Sequence, residues 1–190
     1  MQTSTIDSDI KSNAQAAAPS ARSQMPFLPQ DRLLTVNEND IPLLTDLLVP
    51  GFSIKPLLVD KELGMTVTIG YGKPGTKVPA HYHTGAVHGF TLKGSWYYDE
   101  YPDQLQTPGS YLYEPAGSVH ALSVPETNTE DTVVFFVLFG ANIGFDEQGN
   151  IAGILDAVAT QALIEATVER LGLGPIDYLT GGSVRHIGDK

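Results

Sequence analysis

The chain has 190 residues, a formal net charge of −11 from 11 basic and 22 acidic side chains, and no cysteine. This length suits one domain with a core of its own, and the missing cysteines exclude a disulfide framework, a thiolate zinc site, an iron–sulfur cluster and a thiol nucleophile. The acidic balance speaks against nucleic acid and anionic membrane as partners, and it leaves His, Asp and Glu to hold any metal, with five His in all.

Residues 1–24 are rich in Ser, Ala, Gln and Asn, and Asp7 and Asp9 balance Lys11 and Arg22. They are expected to form a disordered, neutral extension, which places the whole negative charge on the rest of the chain. They lack the apolar stretch of a secretory signal. The longest apolar run, Val133–Phe139, is far short of the roughly 20 residues of a membrane span. The expected compartment is therefore the cytoplasm. Pro26 and Pro29 mark an extended entry, and a short helix is expected near Asp40–Leu48.

Strands follow one another from there. Phe52–Val59, Met65–Tyr71, Val87–Lys93, Ser95–Asp99, Ser110–Glu114, Val119–Val124 and Thr132–Phe139 are rich in β-branched or aromatic residues and bounded by Gly, Pro, Asp and Asn. Asp146–Asn150 reads as a hairpin loop between short edge strands. Many short strands with closely spaced turns predict an all-β sandwich or barrel. A helix is predicted over Asp156–Leu171, with Asp156 as its N-cap and Gly172 ending it in a left-handed turn. Its expected buried stripe is Leu155, Val158, Ala159, Ala162, Leu163 and Ala166, packed on the β body or a second subunit. The last stretch, from Thr180, reads as a tail, with His186 on its surface.

Two motifs carry the chemistry. The first runs from Gly75 through His81-Tyr82-His83 to Gly94. Residues two apart on a strand share a face, so His81 and His83 project together, a ready metal chelate. The second runs from Gly109 through Pro115 and Gly117 to His120, the turn residues re-aiming the chain so that the next strand presents His120. Glu114, just ahead of Pro115, is either an exposed acid at a strand end or a partner for a ligating His or for metal-bound water.

Together these spacings resemble the two cupin motifs, Gly-x5-His-x-His-x3-4-Glu-x6-Gly and Gly-x5-Pro-x-Gly-x2-His-x3-Asn. The resemblance covers roughly residues 50–140 and departs at Val87, where the motif has Glu, and at Val124, where it has Asn. It implies an all-β cupin jelly-roll barrel over residues 25–153, with a C-terminal helix and tail over 154–190. It implies a metal on His81, His83 and His120, with the carboxylate ligand missing. A bulge could turn His88 inward as a fourth ligand; otherwise it lies behind the ligands or packs. Three neutral imidazoles leave the ion's charge uncompensated and open positions on one face, which suits a chelating anionic enolate and dioxygen. The ion is expected to be Fe(II), with Zn or another divalent metal able to satisfy the same ligands.

The stretch His81–Gly94 together with Tyr113–His120 is similar to the 2,4'-dihydroxyacetophenone dioxygenases. Those enzymes use iron and O2 to cleave the bond between a ketone carbonyl and a hydroxymethyl carbon, giving 4-hydroxybenzoate and formate. The acetylacetone-cleaving dioxygenases, also similar, place a Glu at the spacing of Glu114 beside the ligands, which implies a catalytic role for Glu114. Phe90, Trp96, Tyr98, Tyr113 and Phe136 are candidate pocket walls, or else core and interface aromatics. The expected partners are a hydroxyketone or diketone, O2 and further copies of the chain in a homodimer or homotetramer. A cupin enzyme of other chemistry and a non-catalytic metal or ligand sensor stand as alternatives.

Overall fold

The computed structural model describes residues 34–146 and 148–181. The expected N-terminal extension, the entry prolines, His186 and Glu147 of the hairpin loop lie outside that range. Eleven strands and one helix follow in order: β1 (Phe52–Asp60), β2 (Met65–Gly72), β3 (Lys77–His83), β4 (Val87–Lys93), β5 (Tyr97–Tyr98), β6 (Tyr111–Glu114), β7 (His120–Ser123), β8 (Thr132–Phe139), β9 (Asn142–Phe145), β10 (Ile151–Leu155), α1 (Ala157–Arg170) and β11 (Leu179–Gly181). They form a six-stranded sheet, β11-β1-β2-β8-β4-β6, and a five-stranded sheet, β10-β9-β3-β7-β5. This is the all-β jelly-roll with a C-terminal helix that the motifs implied. Among the described residues no helix is long and apolar enough to cross a membrane.

The larger sheet turns alternate side chains into the barrel. Val87, Trp96, Tyr98, Leu122, Val124, Val134 and Phe136 form the interior cluster. Two glycines make room for the Phe136 ring. A Cβ on Gly89 would stand 3.2 Å from it and one on Gly70 3.4 Å, so these strands stay bare where the aromatic crosses them. Trp96, fully buried, donates its indole N–H to Thr91 Oγ1 at 2.9 Å, which satisfies a polar atom that burial would otherwise leave costly.

A second cluster joins Leu44, Leu47, Ile54 and Val59 to Ala157 and Ile164 of α1. The chain before β1 does not form the helix expected near Asp40–Leu48. A single 3-10 turn spans Glu38–Asp40, and Leu44 bridges Ile54 by two backbone hydrogen bonds. The extended backbone delivers Ile41, Leu44 and Leu47 to the core. Glu38 docks this segment, accepting from the Tyr71 hydroxyl at 2.6 Å and from Lys55 Nζ at 3.3 Å.

Helix α1 starts and stops as predicted. Asp156 accepts from the Ala159 N–H at 2.8 Å, and Gly172 at φ +65° lets the Leu173 N–H return to the Val168 carbonyl. Its buried face differs from the expected stripe: Ala157, Thr160, Ile164 and Thr167 are buried, and Val158, Ala162 and Ala166 are exposed. Alanine lines both sides of this helix, so its periodicity does not single out a face. The two threonines bury instead.

Candidate metal centre and cavity

The centre is built where β3 and β7 pair antiparallel, with His81 directly opposite His120. The β3 alternation adds His83 to the same face and turns Tyr82 outward, where it stacks on Phe145. The turn before β7 ties the two motifs together: Gly117, at φ +83°, donates its N–H to the His83 carbonyl at 2.8 Å. All three histidines are buried, and one ligand atom from each lies within 4.8 Å of the others. His81 Nδ1 sits 2.8 Å from the Pro79 carbonyl. A carbonyl only accepts, so Nδ1 carries the proton and Nε2 keeps its lone pair for a metal.

Burial pushes all three histidines toward the neutral form, His83 to about 3 and His120 to about 4, with neighbouring imidazoles adding to the effect at His83 and His120. Neutral imidazole is the form that binds metal. Glu114 is buried beside them and pushed up to about 7 by that burial. Its Oε1 accepts a short hydrogen bond from the Tyr98 hydroxyl. Its Oε2 lies 3.3 Å from His120 Nε2 and 3.7 Å from His83 Nε2. With the imidazoles neutral these contacts are not ion pairs. Glu114 Oε2 and His120 Nε2 have no hydrogen-bond partner. Two buried acceptors this close need a proton or a cation between them. The donor set therefore fits a divalent metal.

Register explains the missing motif carboxylate. Val87, inward and almost fully buried, pairs directly with Glu114 on β6. The carboxyl absent from position 87 comes from the neighbouring strand of the same inner face.

His81, His83 and Glu114 line one end of a cavity of about 120 Å³, with His120 behind them. Of the expected pocket aromatics, Tyr98 and Phe136 line it. Trp96 packs behind both, its ring 5.2 Å from Tyr98 and 5.9 Å from Phe136. Phe90 and Tyr113 do not line it: they lie on the outer face of the sheet, 42% and 56% exposed. His88 is not a fourth ligand. No bulge turns it inward, and its Nδ1 meets the Tyr111 hydroxyl at 2.7 Å on that same outer face. Inward Val87 and Gly89 fix the parity of β4, and inward Glu114 fixes that of β6. Sequence reasoning missed Leu47 and Phe52 before and on β1, Thr68 on β2, Asn142 on β9, Leu155 at the end of β10 and Thr160 in the first turn of α1, all of which line the cavity. Asn142 reaches the site through its register opposite His83, and the rest arrive by tertiary packing, which no local pattern records. No Lys or Arg is among the described lining residues.

This barrel, with buried histidines converging inside it from two motifs, defines a cupin. The model of the ChrR cupin-like domain matches residues 33–142, and the chain belongs to that family. No curated protein matches the chain. A protein of unknown function with a cupin-like fold from Ralstonia eutropha JMP134 is 36% identical, with 85% of this chain and 100% of that one covered and a TM-score of 0.77. An RmlC-like cupin from the same organism is 25% identical over 78% and 95% of the two chains, with a TM-score of 0.70. An acetylacetone dioxygenase from Acinetobacter johnsonii shares the fold at 17% identity, 73% and 94% coverage and a TM-score of 0.62.

Proposed function

We propose that the chain is a non-haem iron dioxygenase that cleaves the C–C bond beside a ketone carbonyl, with a 2-hydroxyketone such as a hydroxyacetophenone as substrate. The observation that carries this reading is the convergence of three neutral imidazoles and one carboxyl oxygen at one end of a largely apolar cavity whose described lining holds no Lys or Arg. His81, His83 and His120 would hold Fe(II), which supplies a Lewis-acidic, redox-active centre for a chelating substrate and dioxygen.

Glu114 Oε2 faces the histidine cluster, placed to take the proton from the hydroxymethyl carbon, and a carboxyl near pH 7 is matched to that transfer. Tyr98 holds the other oxygen and so orients the carboxyl. Phe136, Val87 and Leu138 exclude water from this end. The remainder, mostly apolar with Thr66, Thr68, Thr160 and Asn142 as its polar side chains, suits a neutral aromatic or alkyl group, because a charged tail would find no counter-ion there. One ketone and one O2 give two carboxylic acids, both oxygen atoms entering the products, so no external reductant is needed. The likeness to an acetylacetone dioxygenase in fold supports a diketone as the alternative substrate.

The test is oxygen uptake by the Fe(II)-loaded chain with 2-hydroxyacetophenones and 1,3-diketones, the products read by mass spectrometry. One O2 consumed per hydroxyketone, with two acids formed, is expected. Uptake with diketones alone selects the alternative. Iron retained with no uptake on any ketone overturns the enzyme reading in favour of a metal- or ligand-sensing cupin.

A further inference from the structure

The outer face of the six-stranded sheet is as apolar as its inner one. An antiparallel sheet with one solvated face alternates apolar with polar residues, yet β8 reads Thr-Val-Val-Phe-Phe-Val-Leu-Phe. Its outward Phe135 and Val137 pair with Phe90 and His88 of β4, which pair in turn with Tyr111 and Tyr113 of the edge strand β6. Tyr111 is 61% exposed, and His88 lies stacked against it with ring centroids 6.0 Å apart. At the far end Glu38, Lys55 and Tyr71 cap the face with their own hydrogen bonds; among the described residues the β8-β4-β6 end is left bare.

We infer that this bare end is where a second copy of the chain docks, face to face. Charge favours that occupant. The chain carries a net −11, so two copies repel one another overall, and the outward positions of β8, β4 and β6, which hold no acid, offer a contact that adds no carboxylate pair to that repulsion. Area agrees as well. Three half-exposed aromatics present on the order of 100 Å² each, and their flanking aliphatics bring the face toward the ~800 Å² per partner of a standard interface. The rows are aromatic and aliphatic, with His88 and the Tyr hydroxyls among them and Lys93 at their end held by Glu130, so the same patch can serve both copies of a two-fold dimer. The contact lies on the opposite side of the sheet from the histidines and stands independently of the proposed chemistry.

Sedimentation velocity of the full chain at about 10 μM, beside a Phe90→Glu/Tyr113→Glu variant, tests it. The wild type is expected at twice the chain mass of 20.4 kDa, or a higher even multiple. The variant should fall to half the wild-type mass with its circular dichroism and zinc content unchanged. A second variant, Phe90→Lys, should weaken association at least tenfold. A monomeric wild type overturns the inference and leaves residues 1–33 or another protein as the cover. Variants that stay associated, or that lose zinc along with association, overturn it too.

Discussion

Tyr98→Phe removes a single hydroxyl from the interior and keeps the ring, which packs on Trp96 and on His120 with centroids 5.2 and 4.2 Å away. Its loss takes from Glu114 Oε1 the short hydrogen bond that holds it, while Oε2 already lacks a partner. Orphaning a buried acceptor costs about 1–3 kcal/mol. For a folded unit of this size each kcal/mol lowers Tm by roughly 2–4 °C, so the chelator-treated variant should melt about 2–12 °C below wild type. Replacing both partners by apolar groups is far cheaper than removing one. Tyr98→Phe/Glu114→Leu should therefore be no less stable than Tyr98→Phe alone, with a coupling energy of at least ~1 kcal/mol in the double-mutant cycle. Thermal and urea unfolding followed by circular dichroism give both quantities. A Tyr98→Phe Tm within 1 °C of wild type, or a coupling near zero, would refute a buried Tyr98–Glu114 pair.

Val87→Glu puts a second carboxyl beside Glu114 in register and should cost roughly 3 kcal/mol or more; Val87→Glu/Glu114→Val, which only moves the carboxyl across the strand pair, should recover most of that in urea melts. Zinc in hundredfold excess over its Kd should stabilise the wild type by about 2.7 kcal/mol, and His120→Ala should abolish both that shift and stoichiometric zinc in elemental analysis. The Tyr71 hydroxyl and Lys55 hold the Glu38 carboxyl below its usual range. Its folded pKa is the lower one, so its contribution is present above the unfolded pKa and is lost as pH falls through the folded value. Because Glu38 is partly exposed, Glu38→Gln should cost less than about 1 kcal/mol at pH 7, and the difference should vanish in urea titrations toward pH 3.

The ligands were legible because two compact motifs carry them: His81 and His83 share a face by strand period, and Gly117 and Pro115 set up His120 within a few residues. The misplaced residues erred on parity. Glu114 and Tyr113 are adjacent on one strand and cannot both face inward, so placing Glu114 at the site already excluded Tyr113 from its wall. In the same way inward Val87 excluded His88 and Phe90. The rest of the cavity was not readable. Leu47, Thr68 and Thr160 come from segments whose approach depends on how the barrel closes, and no local pattern records that. The helix face failed for another reason: Ala-rich turns look apolar on every side.

The pairing of His81 with His120 has a mechanical side. The two residues are ~40 apart in the chain, and an ion held by both would cross-link β3 to β7 as a disulfide would. Closing a loop of that length removes about 4 kcal/mol of chain entropy from the unfolded state. In a chain without a single cysteine, the metal would thus be its one covalent-like staple, and metal supply would set how often the barrel opens.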